Sequence, residues 1–151
     1  MLGKNMRVLA LDLGDVWIGM ALSDPLGMFA SPYKTIKIDE LENTLRSLLG
    51  EGEIDTVVIG CPLTMKGAQS EQTKKILAQK EQLAKRYDVV HGHAITWVLW
   101  DERLSSKRAQ QLQKKKVPSV EEKRLEHARA AAFILQSYLD ARSFNHEKHV
   151  V

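Results

Sequence analysis

The sequence predicts an α/β fold: a mixed five-stranded sheet, its first three strands antiparallel and the later ones parallel, with helices on both faces. Three observations predict it. Short β-type runs separated by tight turns fill the first part of the chain, helix-period stretches then alternate with β-branched runs, and an Ala-rich helical pattern closes it. Short turns join antiparallel neighbours, whereas strands reached through helices lie parallel by right-handed crossovers. The element order is βββαβαβαα.

The first strand is "RVLALDL" (7–13), turned at Gly14 and Asp15 into "WIGMALSD" (17–24). After Pro25 and Gly27, "FASPYKTIKI" (29–38) makes a third strand, with Pro32 suited to an edge. Asp39 with Glu42 three positions on reads as a helix cap, and Leu41, Leu45, Leu48 and Leu49 form a helical stripe that Gly50 and Gly52 end. "TVVIGC" (56–61) is a buried strand stopped by Pro62, and a helix over 69–87 turns Ile76, Leu77, Leu83, Ala84 and Tyr87 inward. "ITWVLW" (95–100) is the fifth strand, and "DERLSS" (101–106) breaks it and opens a basic helix. "KKVPSVEEK" (115–123) reads as a polar loop before the last helix, "EHARAAAFILQSYLD" (126–140), with Ala128, Ala131, Ala132, Leu135 and Leu139 packed inward. One domain over 6–142 is expected, with 1–5 as a leader and 143–151 as a polar, frayed tail.

Composition agrees with a single globular domain: 151 residues, 44% hydrophobic and 27% charged. The net charge of +3 is unevenly spread, because the stretch from Arg103 to Arg124 carries eight basic residues against Glu121 and Glu122. That block suits a phosphate-facing surface or a solvated helix face. Cys61 is the single cysteine, so an internal disulfide is impossible. With no signal-peptide pattern and no apolar run of the ~18 residues that cross a bilayer, a cytoplasmic protein without membrane partners is expected.

Asp12 stands out. A carboxylate inside an apolar strand costs several kcal/mol to desolvate unless exposure, a cation or a metal compensates it. As a residue near a strand end it could cap the turn, or it could bind metal or move a proton. Asp101 and Glu102 follow the fifth strand, where α/β sheets gather chemistry, and alternation lets only one of them share a side with Asp12. His127 borders the buried stripe of the last helix, which fits either a packing residue or a ligand. Two carboxylates and an imidazole, from two strands and a helix, can hold divalent cations against a phosphodiester. Mg²⁺ keeps several waters, so few protein ligands are enough.

"LDLGDVWIGMALSDPLG", "VVIGCPLTMKG", "DERLSSKRA" and "EHARAAAFILQSYLD" together resemble the YqgF family, also called RuvX, over residues 6–142. The resemblance implies an RNase H-like fold with a RuvC-type metal site, and hydrolytic maturation of the 5′ end of precursor 16S rRNA, on ribosomal particles or free precursor. It implies Asp12 as the ligand from the first strand, acid from Glu102 with Asp101 beside it, and Gly60, Pro62, Leu63 and Gly67 as the loop after the fourth strand. Lys66, Arg103, Lys107 and Arg108 are then candidate backbone contacts, and Gly14 and Gly19 leave room for a phosphate or a backbone close to Asp12. This chain departs from the family twice: Trp17 stands where an Arg is usual, and His127 where an acid is usual. With His127 as third ligand, Mn²⁺ becomes the expected cation in preference to Mg²⁺. Two other classes fit parts of the pattern: an RNA-binding assembly factor with a weakened site, and a Holliday-junction-type DNA resolvase. Actin-like ATPases share the Asp and Gly-rich turn but close two such domains on a nucleotide, and this chain has one. Oligomeric state is not legible.

Overall fold

The computed structural model describes residues 6–61, 71–101 and 119–149, with side chains as far as Phe144. The apolar run at the start forms β1 (Arg7–Leu13), which folds back into β2 (Trp17–Ser23) and on to β3 (Ala30–Lys37). A 3₁₀ turn (Ile38–Glu40) leads into α1 (Leu41–Gly50), followed by β4 (Ile54–Gly60) and α2 (Glu71–Arg86). A small ribbon of β5 (Val89–Val90) and β6 (His93–Ala94) then precedes β7 (Thr96–Trp100), and α3 (Val120–His149) is the last described element. The main sheet has the order β3-β2-β1-β4-β7, antiparallel from β3 to β1 and parallel from β1 to β7. The expected mixed sheet is therefore present, with β1 at its centre.

Strand alternation divides the core in two. Leu9, Leu11, Ile18, Met20, Val57 and Ile59 face one way and pack with Leu45 and Leu49 of α1 and Ile76 and Leu83 of α2. Val8, Ala10, Ala21 and Val58 face the other way, onto Ala131, Ile134, Leu135 and Leu139 of α3. The second face is lined by smaller side chains, so α3 comes down close to the sheet. At Gly60 a Cβ would lie 2.6 Å from the Ile134 Cδ1, and at Gly19 it would overlap the carbonyl oxygen of His127. Where the β1 register slips between Arg7 and Val8, the Val8 amide donates instead to the Ser23 hydroxyl at 2.8 Å.

Three expectations are corrected. Asp39 and Glu42 do not form a helix cap: a 3₁₀ turn precedes α1, and the Glu42 carboxylate accepts hydrogen bonds from Tyr87 at 2.8 Å and from Arg86, tying α1 to the end of α2. The last helix begins at Val120, inside the stretch read as loop, because Ser119 and Glu122 cap it reciprocally: the Glu122 amide donates to the Ser119 Oγ, and the Ser119 amide to the Glu122 carboxylate, both at 3.2 Å. His127 thus sits two turns inside the helix instead of at its beginning. The segment read as a frayed tail continues the same helix to His149, as no glycine or proline follows Ser143 to stop it. The β5/β6 ribbon was not expected from the sequence; it turns through His91 and Gly92, at φ 49° and 82°.

Gly19→Ala should destabilise the fold by about 1–3 kcal/mol, the usual range for forcing a methyl into a packed interface. Backbone meets backbone here, so no side chain can swing aside. Urea unfolding of variant and parent checks this, and an unchanged midpoint would show that α3 does not rest on Gly19.

Candidate active site

Asp12 is the penultimate residue of β1 and pairs with Gly19 across the β1/β2 ladder. It shares the parity of Val8 and Ala10, so its carboxylate is on the α3 side. Gly19 has no side chain to fill the space opposite, and the α3 backbone at His127 occupies it. Sequence-distant Asp12 and His127 are brought together in this way. Burial pushes the Asp12 carboxyl above the ordinary 3.8, and the positive charge that His127 can carry draws it partly back. Among the described residues no hydrogen-bond donor meets this carboxylate.

The ends of the parallel strands converge on the same corner. Leu11 pairs with Ile59, which brings Gly60 level with Asp12 one step later, and Gly60 pairs with Trp100 at the end of β7. Trp100 is fixed by a hydrogen bond from its indole N–H to the Ser137 Oγ at 3.1 Å and by edge-to-face contact with Tyr138, ring centroids 5.5 Å apart. Asp101, directly after β7, is buried and falls with Trp97 and Leu99 in the strand's alternation, the parity opposite to that of Asp12. Gly14 closes the β1/β2 turn, its amide donating to the Trp17 carbonyl at 3.0 Å. Glu102, Pro62, Lys66, Gly67, Arg103, Lys107 and Arg108 lie outside the described residues. Among the described residues no group of three His, Cys, Asp or Glu side chains could hold a metal ion.

Sequence reasoning missed part of this corner. The Trp17 ring carries the Arg124 guanidinium at 5.0 Å and the Lys37 ammonium at 5.7 Å from its centroid. Arg124 was visible only as one charge of the basic block, and Lys37 only as a strand residue. The signal was the unusual Trp at the start of β2.

Comparison with known proteins places the chain. The RuvX family, described as a Holliday junction resolvase, matches residues 6–141. The chain belongs to the RuvX family. Among its relatives, a protein of Desulforamulus reducens is 36% identical over 140 residues, covering 90% of this chain and 98% of the relative. A protein of Geobacillus sp. is 37% identical over 143 residues, covering 91% and 99%. Both bear the name "Putative pre-16S rRNA nuclease". The solved structure of Thermus thermophilus RuvC superimposes with a TM-score of 0.54 at 12% identity, covering 92% of this chain and 97% of that one. T. thermophilus RuvC in complex with Holliday junction substrate gives 0.52 at 11% identity, covering 91% and 96%. The fold of this RuvX protein is thus the RuvC-like RNase H fold.

Asp12 lends itself to a stability test. Because burial raises its pKa in the folded state, the fold is most stable, as far as this group is concerned, below the unfolded value of 3.8. Stability then falls as pH rises from there through the raised folded value, and the full deficit persists at neutral pH. In EDTA, Asp12→Asn should therefore be more stable than the parent at neutral pH and equal to it in acid, by urea midpoints at the two pH values. A parent as stable as the variant at neutral pH would show that the carboxylate is not desolvated.

Proposed function

We propose that this RuvX protein is a divalent-metal-dependent nuclease that hydrolyses a phosphodiester in structured RNA, maturing the 5′ end of precursor 16S rRNA in the cytoplasm. The observation that carries the reading is the desolvated Asp12 carboxylate, without a donor among the described residues, beside His127 at the ends of the parallel strands. A carboxylate and an imidazole are donors that suit a divalent cation, and Glu102 is the acid that follows Asp101 in the sequence. When bound, the cation would supply Lewis-acid polarisation of the phosphodiester and acidify the attacking water. Asp12 would hold it as the ionised carboxylate, His127 as the neutral ring and Glu102 as a second carboxylate. Lys66, Arg103, Lys107 and Arg108 would draw in the nucleic-acid backbone. The names of the relatives favour precursor rRNA over branched DNA, although the RuvC neighbour was solved with a Holliday junction.

A second reading, an RNA-binding assembly factor with a weakened site, draws on His127: an imidazole gives fewer hard oxygen ligands than a carboxylate. Incubation of the parent and Asp12→Asn with precursor 16S rRNA and with junction DNA separates the two. Cleavage that falls about a thousandfold in the variant, the scale on which one charge-stabilising group reads out, supports the nuclease. RNA binding without turnover by the parent supports the assembly factor.

Cation preference gives a further test. A nitrogen donor favours Mn²⁺ over Mg²⁺, so turnover at matched occupancy should be higher with Mn²⁺, and His127→Asp should reverse the order. Higher turnover of the parent with Mg²⁺ would count against His127 as a ligand.

A further inference from the structure

Trp17 opens β2, and cations from two other elements meet at its ring. Lys37 is its cross-strand partner on β3, and Arg124 lies one turn before His127 on α3. The Thr35 hydroxyl, on the same side of β3 as Lys37, donates to the Arg124 carbonyl and pins this turn of the helix to the sheet edge. Both cations rest against the Trp17 ring, and among the described residues neither makes an ion pair. Of the acids near them in sequence, Glu122 is engaged in the α3 cap and Glu40 with the Lys37 backbone amide at 3.0 Å, while Asp39, Glu121 and Glu126 form no ion pair with either cation among the described residues.

Two like charges gathered at one ring repel each other, and holding long side chains still costs rotamer entropy. An anion within reach of both offsets the repulsion. Trp17 is two residues from Gly19, the partner of Asp12, which sets it about 7 Å along the strand from the candidate metal corner. A nucleic-acid strand with one phosphate at Asp12 would carry a neighbouring phosphate past this ring.

We infer that Arg124 and Lys37, seated on Trp17, form a subsite that grips a backbone phosphate of the nucleic acid beside the one that is cleaved. Trp17 acts here as a positioning residue, which sets the guanidinium where the phosphate arrives. The place of the subsite along the strand rests on the nuclease reading; its affinity for phosphate does not.

The test is fluorescence anisotropy of the full chain in EDTA, with a labelled oligouridylate and, separately, a labelled RNA hairpin, across a salt series. Arg124→Gln and Lys37→Gln are surface changes that spare the core. On the single strand either change should flatten the slope of log affinity against log salt, and the pair should flatten it by about 0.7, as expected for the loss of one phosphate contact. Trp17→Ala should match Arg124→Gln and add little to it, whereas Trp17→Phe, which keeps a ring face, should retain most of the parent slope. A flatter slope on either probe supports the subsite, and the probe affected tells whether unpaired or duplex backbone is gripped. An unchanged slope in the Arg124→Gln/Lys37→Gln pair on both probes would overturn it. Flatter slopes in a protein that never cleaves RNA would leave the subsite standing and remove the nuclease reading, while cleavage with unchanged slopes would do the reverse.

Discussion

The contact between the α3 backbone and Gly19 is the constraint from which the rest of the site follows. An α-helix usually keeps its distance from a sheet because side chains stand between them. Here the α3-facing side of the sheet is lined by Ala10, Ala21, Gly19 and Gly60, and the opposite side by Leu9, Leu11, Ile18, Met20 and Ile59. The helix can sink on one side only. Once it does, His127 is carried to Asp12 and the carboxylate is left half-buried. The raised Asp12 pKa is therefore a consequence of a packing choice spread over several strands.

That distribution explains what could be read in the sequence. The change from antiparallel to parallel strands was legible because the main elements carry a clear period and their connections a clear length. Asp12 was legible as an anomaly, a charge in an apolar run, and His127 as a residue on the edge of a buried stripe. The beginning of α3 was not, because Ser119 and Glu122 look like any polar loop after Pro118 until their reciprocal hydrogen bonds are seen. Glu42 has a cap's spacing but finds stronger partners in Tyr87 and Arg86, residues whose position depends on how α2 docks. The cluster on Trp17 was hidden for the same reason: Lys37 comes from strand pairing, Arg124 from helix docking, and neither spacing is local.

The exchange at position 127 can be weighed in the same electrostatic terms. An acid there would set a second negative charge against Asp12 in a place already poor in water, and each carboxylate would raise the pKa of the other unless a cation were present. Such a fold would depend on its metal for stability as well as for chemistry. Histidine loosens that dependence, because it adds no second negative charge, and the positive charge it can carry lowers the cost of ionising Asp12. The same exchange makes the corner less negative toward an approaching phosphate. On the nuclease reading, with Arg124 and Lys37 near it, such a corner would admit a polyanion more readily than a pair of carboxylates and would hold a hard cation less tightly.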